Sequence, residues 1–320
     1  MQSAIVVVGS YVQDLTFFTR QFPSPGETVI GNFATGPGGK GSNQAIAARR
    51  SGGEVVFVGA VGGDAFAEVA TQFHEAEGVD ARWLHDTRRS TGAAAILVNA
   101  DGQNEIVVSV GASDAMTEAV VSERLPDAAG IVVTQLETHL EASITAMRRG
   151  REMGACTVLN PAPMRDDFPL AILQWVDVLI PNETEFVRLL KLLHPEEFAS
   201  LNDTTLEQLT SAELHTLCRR LQVPTVILTL GARGAFLSTV DRCASFLPLD
   251  DIEVVDTTGA GDAFVGGFSA GWVKYGQDLD RAIRYGVVVA GLSVTQPGTA
   301  PAMPRMAAIE AYLEDHSMHI

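Results

Sequence analysis

The chain has 320 residues and 46% of them are hydrophobic, which predicts one large domain with a sizeable core and excludes a disordered chain. Its 39 acidic and 22 basic side chains give a formal net charge of −17, so neither nucleic acid nor an anionic membrane is expected as a partner, because both would be repelled. Three scattered cysteines and no apolar segment of membrane-spanning length favour a cytoplasmic protein.

The predicted elements alternate between strand and helix along most of the chain. Short β-branched apolar runs predict buried strands, and apolar residues at three- and four-residue spacing predict helices. The strands are Ile5–Val8, Val55–Val58, Ile131–Thr134, Thr157–Leu159, Val178–Ile180 and Val226–Leu230, and the helices are Ser42–Arg50, Phe66–Glu77, Leu140–Met153, Glu183–Leu193 and Ala263–Val273. This order predicts an α/β fold with a doubly wound, mainly parallel sheet and helices on both faces.

Two stretches, about residues 11–35 and 93–110, interrupt the alternation because they are strand-rich and contain no helix. The second contains Asn99–Gly102, a good hairpin turn. We expect the two stretches to pair as a small β-sheet lid on a single domain that spans residues 1–320. The acidic, weakly patterned segment His194–Ala212 is expected to be a surface insertion.

A glycine-rich turn, Asp256–Phe264, leads into the last of the predicted helices. The turn puts the carboxylate of Asp262 at the first turn of that helix, where free backbone N–H groups can bind a phosphate. An anion site beside a carboxylate base is what phosphoryl transfer to a hydroxyl needs. The same turn is equally typical of a helix cap in which an acid complements the helix dipole, so the turn alone leaves both interpretations open.

A second glycine-rich segment, Gly36–Gly41, formally matches the dinucleotide fingerprint G-x-G-x-x-G. A nicotinamide-dependent oxidoreductase is therefore one alternative, although the fingerprint should directly follow the first strand of a βαβ unit. The segment is not a Walker A loop, because Gly41 follows Lys40 where Ser or Thr is needed. Either these glycines let the backbone approach a ligand, with Lys40 and Asn43 as donors, or they form a structural bend.

Other candidates follow the carboxyl ends of predicted strands, where α/β folds bind their ligands. Asn182 and Glu185 could order the water shell of Mg²⁺, or they could cap a helix. The loop Thr229–Gly234 fits either a phosphate or adenine contact or a plain turn. Glu137 projects toward the same edge, either as a ligand contact or as a capping or solvated acid.

Two of these motifs, in this order and at this spacing, resemble the signatures of the ribokinase-like (phosphofructokinase B) carbohydrate kinases. They are Gly38–Asn43 and Asp256–Asp262, and three further segments extend the match over nearly the whole chain: Phe22–Thr28, Pro181–Glu185 and Thr229–Gly231. The resemblance implies an ATP- and Mg²⁺-dependent kinase acting on the primary hydroxyl of a small sugar, most simply ribose or 2-deoxyribose. It also implies a homodimer formed through the lid. A nucleoside kinase or a fructose-type kinase of the same family is the alternative.

The resemblance also implies a role for each matching residue. Asp262 is the expected general base, and Gly259, Ala260 and Gly261 are the expected anion hole for the γ-phosphoryl group. The sugar-pocket positions are Asp14, Gly39, Lys40, Asn43 and Glu137. Asn182 and Glu185 match the pair that organises Mg²⁺ and phosphate, and Thr229, Gly231 and Gly261 match ATP contacts. An activating K⁺ is expected near Asp256, Thr258, Ser293 and Gly298.

Three positions depart from the pattern of the family. Val12 stands where ribokinases have an Asn and deoxyribokinases an apolar residue, and an apolar side chain cannot pair with a sugar hydroxyl. We therefore expect weaker discrimination in favour of ribose. Ala302 replaces a Ser hydroxyl near the K⁺ position, and Val287 replaces a polar residue near the adenine.

Overall fold

The computed structural model describes residues 4–318 and residue 320, so residues 1–3 and 319 of the expected domain lie outside the described part. The strands are β1 Ala4–Val8, β2 Val12–Phe18, β3 Asn32–Gly38, β4 Glu54–Gly62, β5 Asp80–Asp86, β6 Gly92–Val98, β7 Asn104–Ser109, β8 Ile131–Thr134, β9 Cys156–Leu159, β10 Val178–Leu179, β11 Thr225–Thr229, β12 Ala235–Ser238 and β13 Cys243–Phe246. The α-helices are α1 Lys40–Arg50, α2 Ala65–Ala76, α3 Glu118–Arg124, α4 Leu140–Glu152, α5 Glu183–Leu193, α6 Asp203–Glu207, α7 Ser211–Arg219, α8 Ala260–Lys274, α9 Leu279–Ser293 and α10 Met306–Asp315.

The main sheet has nine strands among the described residues, in the order β13-β12-β11-β10-β9-β8-β1-β4-β5. The strands from β11 to β5 pair in parallel, and β12 and β13 add an antiparallel edge. The chain runs outward from β1 in both directions along the sheet. This order brings the carboxyl ends of β1, β8, β9, β10 and β11 to one edge, where a ligand can bind.

Helices cover both faces of this sheet, because the parallel strands are apolar on both sides. In β1, Ile5 and Val7 pack in one core cluster with residues of α1, α8, α9 and α10. Val6 and Val8 point the other way and pack with residues of α3, α4, α5 and α7. The predicted doubly wound α/β fold is therefore confirmed. In the described part of the chain, no helix is both long and apolar enough to cross a membrane.

A separate small sheet has the order β3-β2-β6-β7 within the residues described. Strands β2 and β6 pair in parallel, and the two outer strands pair antiparallel to them. The turn between β6 and β7 is closed by Asn99, whose Oδ1 accepts the backbone N–H groups of Asp101 and Gln103. The small β-sheet expected beside the main one is thus present.

Two expectations about individual segments need correction. Helix α8 begins at Ala260, three residues before the predicted start, because Gly259 takes a left-handed conformation (φ 79°) that the chain needs to enter the helix there. The segment 194–212 is not only a surface insertion: it contains α6, and Phe198 and Leu206 are buried in the core cluster on the α5 side. Their apolar side chains are stabilised by removal from water.

Candidate active site

The glycines before α1 bring that helix against the end of β1. Gly39 has φ 88°, a conformation that glycine adopts without strain. A Cβ atom at Gly41 would lie 2.6 Å from the backbone of Gly9, so only glycine fits there. This close approach places Asn43 and Gln44, in the first turns of α1, beside the start of α8.

Asp262, in the first turn of α8, is hydrogen-bonded to two side chains of α1. One carboxylate oxygen, Oδ2, accepts the amide N–H of Asn43 at 2.9 Å, and the other, Oδ1, accepts that of Gln44 at 2.9 Å. The side chain is 6% exposed and lines a cavity of about 180 Å³. Because both amides donate, they hold the carboxylate as an acceptor in one orientation.

A second set of amides holds Gln44 in place. Gln44 Nε2 also donates to Asn160 Oδ1 at 3.0 Å, and Gln44 Oε1 accepts from Gln135 Nε2 at 2.5 Å. Asn160 in turn donates to the carbonyl of Ile180 at 2.9 Å. Sequence reasoning missed Gln44, Gln135 and Asn160. The available signal was their position: Gln135 and Asn160 directly follow the strands β8 and β9 at the ligand-binding edge.

The expected sugar-pocket residues Asp14 and Glu137 lie on either side of the start of α1. Glu137 Oε2 accepts the hydroxyl of Ser10 at 2.6 Å and the backbone N–H of Lys40 at 2.9 Å. Asp14 lies on β2 of the small sheet, and its Oδ2 accepts the hydroxyl of Thr299 at 2.9 Å. Burial raises the pKa of Asp14 to about 6; the Thr299 hydrogen bond opposes the rise, and the nearby carboxylates of Glu137 and Asp262 add to it.

Lys40 brings the site a positive charge. Burial alone would lower the pKa of its ammonium group, but the carboxylates of Asp262, Glu137 and Glu185 outweigh that effect, so the pKa of Lys40 is raised. Lys40 therefore stays charged at neutral pH and lines the same cavity as Asp262. The ammonium group of Lys40 offsets part of the negative charge of these acids and can pair directly with an incoming phosphate.

The rest of this cavity is formed by residues that follow or end the three strands β9, β10 and β11 and by the start of α8. Its lining comprises Lys40, Asn160, Ala162, Ile180, Asn182, Glu185, Thr229, Gly259, Gly261, Asp262 and Val265. A Cβ atom at Gly261 would meet no atom within 4 Å, so the space above the first turn of α8 is open. The first N–H groups of a helix lack intrahelical acceptors, which makes this space suitable for a phosphate.

Asn182 and Glu185 form the capping box that was one of the two interpretations of their spacing. Asn182 Oδ1 accepts the N–H of Glu185 at 2.8 Å, and Glu185 Oε2 accepts that of Asn182 at 2.9 Å. Burial raises the pKa of Glu185, while the hydrogen bond from Asn182 and the charge of Lys40 oppose the rise. The amide oxygen of Asn182 and the carboxylate of Glu185 at a cavity wall suit Mg²⁺ held through water and phosphate. Residues 4–318 and 320 contain no cluster of three or more acid, His or Cys side chains that would cage a metal.

The turn after β11 lies against Phe246, a residue that lines a second, larger cavity. Gly231 has φ 54°, and the turn ends at Gly234, where a Cβ atom would collide with the carbonyl of Phe246 at 2.0 Å. Phe246 lines a second cavity of about 640 Å³ together with Ser245, Leu247, Pro248, Leu249, Asp250, Asp251, Arg284, Val287, Tyr312, His316 and Met318. Val287, expected near the adenine, is thus on the wall of a space large enough for a nucleobase.

The residues expected around K⁺ are joined through Asp256. Its two carboxylate oxygens accept the backbone N–H groups of Thr258 and Gly298, each at 2.9 Å. Burial would raise the pKa of Asp256, but the hydrogen bonds from Gly298 and Thr258 outweigh it, so the pKa is lowered. Ser293 instead donates its hydroxyl to the carbonyl of Ala290 at 2.8 Å. A cation here could use the Asp256 carboxylate, backbone oxygens and the lone pairs of the Ser293 hydroxyl, and oxygen donors of this kind fit K⁺.

The oxidoreductase alternative is wrong. Gly36 and Gly38 lie in β3 of the small sheet and do not follow a strand of the main sheet, so Gly36–Gly41 lacks the position of a dinucleotide fingerprint. The parts that the structure does bring together are a buried acid, a lysine and an open helix N-terminus at the edge of a doubly wound sheet. That combination defines a phosphotransferase of the α/β class.

Residues 2–306 match the pfkB family of carbohydrate kinases, and the chain belongs to this family. It is a sugar kinase. The chain is 32% identical over 313 residues to the deoxyribokinase of Salmonella typhi, covering 97% of this chain and 98% of that protein. It is also 32% identical over 321 residues to the ribokinase of Haemophilus influenzae, with 98% and 99% covered. Among solved structures, Arabidopsis thaliana ribokinase complexed with ribose and ATP superimposes with a TM-score of 0.82 at 29% identity, over 98% and 99% of the two chains.

Proposed function

We propose that this protein transfers the γ-phosphoryl group of ATP to the primary hydroxyl of a pentose, with Asp262 as the general base. The observation that carries the proposal is the position of the Asp262 carboxylate, which two amides hold at the open N-terminus of α8 beside Lys40. The base and the phosphate site are therefore adjacent, as transfer to a hydroxyl requires.

In the proposed reaction, the sugar O–H proton passes to a carboxylate oxygen of Asp262. The sugar oxygen then forms its bond to the γ-phosphorus while the bond from that phosphorus to the ADP oxygen breaks. The N–H groups at Gly259, Ala260 and Gly261 and the ammonium group of Lys40 stabilise the charge on the transferring group. Asn43 and Gln44 keep the base aimed at the acceptor.

Two metal ions belong to this proposal. Asn182 and Glu185 would hold Mg²⁺ through its water shell, and the bound ion would neutralise charge on the phosphates. Asp256, Thr258 and Gly298 would hold K⁺ next to the turn that leads to Gly259. Comparing the rate in potassium buffer with the rate in a buffer free of monovalent metal ions tests the second ion.

The nucleotide is proposed to extend from the open start of α8 past Thr229 and Gly231 into the larger cavity. Adenine would occupy the part lined by Phe246 and Val287, which are both buried and apolar. This wall offers little polar discrimination between bases, so we expect GTP to be used as well as ATP, at lower kcat/KM. Initial rates with the two nucleotides test this.

The sugar is proposed to be 2-deoxyribose or ribose. Relatives of both activities share 32% of their residues with this chain, which supports a pentose without choosing between the two. Val12 supports the deoxy sugar. It lies two residues before Asp14 on β2, so both side chains share one face of the small sheet, and it is 2% exposed.

A coupled assay of ADP release over pentoses, 2-deoxypentoses, hexoses and nucleosides tests the proposed function. We expect the highest kcat/KM among the pentoses, with 2-deoxyribose at least equal to ribose. If ribose is at least tenfold better than 2-deoxyribose, the argument from Val12 fails. If a hexose or a nucleoside is the best substrate, the pentose assignment fails while the family assignment stands.

A further inference from the structure

One hydrogen bond in the sugar pocket joins two distant parts of the chain. The hydroxyl of Thr299 lies 2.9 Å from Asp14 Oδ2 and 3.3 Å from the carbonyl oxygen of Pro37. A threonine hydroxyl has one proton to donate, and the charged, nearer carboxylate is the stronger acceptor. Oδ2 of the expected sugar-binding acid is therefore engaged by the protein itself.

The surroundings of Asp14 restrict that oxygen further. A Cβ atom at Gly38 would lie 2.3 Å from Oδ2 and 2.7 Å from Oδ1, so the backbone of β3 lies directly against the carboxylate. Val12, on the same face of β2, offers no polar atom beside it. With β3 on one side and Thr299 on another, Oδ2 has little room for a second donor. Oδ1 has no such internal donor among the hydrogen bonds of the described residues.

Thr299 is held rigidly in this position. The backbone N–H of Gly298 donates to Asp256 at 2.9 Å. The guanidinium group of Arg50 donates to the carbonyls of Ala300, Pro301 and Met303, at 3.3, 3.0 and 2.7 Å. Arg50 is itself paired with Glu77 at 2.7 Å, and both side chains are nearly buried. These bonds fix the backbone on either side of Thr299, and the hydrogen bond to Asp14 orients its hydroxyl.

We propose that Thr299 is a specificity-determining residue. Its hydroxyl occupies one oxygen of Asp14, so the pocket fits a pentose that has one hydroxyl fewer than ribose. Each carboxylate oxygen can accept two hydrogen bonds, and Thr299 already uses one of these places on Oδ2, the oxygen that lies closest to Gly38. A second hydroxyl must compete with Thr299 for the crowded oxygen Oδ2, which weakens its binding. This inference rests on the proposed pentose kinase activity and names 2-deoxypentoses as its substrate class.

The test compares Thr299→Val with Thr299→Ser. Valine keeps the shape of threonine and removes the donor, while serine keeps the donor. For Thr299→Val we expect the ratio of kcat/KM for 2-deoxyribose to kcat/KM for ribose to fall about tenfold, because Oδ2 becomes free for the additional hydroxyl. The change should arise in KM for the sugar. Thr299→Ser should keep the ratio of the unchanged protein.

Thr295→Val is the matched control, because Thr295 lies in the same loop and donates its hydroxyl to the carbonyl of Leu292 at 2.8 Å, away from Asp14. In Thr295→Val, the ratio of kcat/KM for 2-deoxyribose to kcat/KM for ribose should be unchanged. Thermal unfolding of all variants shows whether each is folded. If the protein is active on both sugars and Thr299→Val leaves their ratio unchanged, the role of Thr299 is overturned. If the unchanged protein phosphorylates neither pentose, the proposed function fails, and this inference with it.

Discussion

Asp262 is the residue whose replacement separates chemistry from folding. Asp262→Asn keeps the size of the side chain but removes the base, so we expect kcat to fall by roughly 10³-fold or more while the protein stays folded. Steady-state kinetics at saturating ATP and sugar, together with circular dichroism, measure both effects.

The matched control for this change is Asp280→Asn. Asp280 is also an acid in the first turn of a helix, α9, but it is exposed and pairs with Arg242. Its replacement should leave kcat within about twofold, because exposed ion pairs contribute little. Near-normal turnover by folded Asp262→Asn would mean that another group takes the proton.

Asp14 predicts how sugar use depends on pH. Burial raises the pKa of this carboxyl to about 6. Below that pH the group is protonated and loses acceptor capacity, so kcat/KM for the sugar should fall about tenfold per pH unit, and above it the value should be level. The profile is measured at saturating Mg²⁺ and ATP, so that titration of the nucleotide contributes little.

Asp14→Asn distinguishes this carboxyl from other titrating groups. The variant should lower kcat/KM by roughly 10- to 100-fold at neutral pH, because an amide is a weaker partner for a hydroxyl than a carboxylate. It should also lose the acid limb near pH 6. If kcat/KM for the sugar still falls below pH 6 in the variant, then a group other than Asp14 is titrating.

At the scale of elements, the crossing of α1 and α8 determines whether Asp262 meets its two amides. Gly266 of α8 lies at this crossing: a Cβ atom there would be 2.4 Å from Ala47 Cβ and 2.6 Å from the carbonyl oxygen of Gln44. The helices can approach this closely only because position 266 has no side chain. The geometry of the candidate base therefore depends on a glycine one turn away from it.

Gly266→Ala should push α1 away from α8. We expect the free energy of unfolding to fall by roughly 1–3 kcal/mol, as is typical of overpacked cores, and kcat to fall more than KM rises. Chemical denaturation and steady-state kinetics measure the two effects. Gly36→Ala is the control, since a Cβ atom there would meet only Pro301 at 3.9 Å. Unchanged kcat in Gly266→Ala would show that the helix spacing does not position the base.

The whole molecule exposes apolar side chains on its small sheet. Phe17, Phe33 and Val107 are exposed on one face, and Phe18 and Ile106 on the other. Each face thus presents a group of exposed apolar side chains, and such groups are typical of protein interfaces. It supports the expected homodimer through the small sheet, which would also act as a lid over the sugar.

Sedimentation equilibrium tests this association. We expect the mass of a dimer, about twice 34.0 kDa. Phe18→Lys with Ile106→Lys, or Phe17→Lys with Val107→Lys, should yield a monomer when the changed face is the interface, because a buried unpaired charge is costly. A monomeric unchanged protein at micromolar concentration would contradict the proposed dimer.

The strands and helices that the sequence predicted well are those with strong local signals. Helix α5 matches its predicted bounds of Glu183–Leu193, because an Asn N-cap and an apolar stripe mark it clearly. The edge strands β12 and β13 were not identified. They are four residues each and are stabilised by pairing, β12 with β11 and β13 with β12, which are tertiary interactions that a local pattern does not encode.

By itself, the sequence determined the α/β class, most strands of the main sheet and the two glycine-rich motifs, because periodicity and turn chemistry are local properties. It also marked Asp262 as the candidate base. Only the tertiary structure decided that Gln44, Gln135 and Asn160 orient this acid and that Thr299 reaches Asp14. Those contacts join residues that are 91 to 285 positions apart in the chain, so no periodicity along the sequence indicates them. They exist because the parallel strands end at one edge and the loops of distant segments meet there.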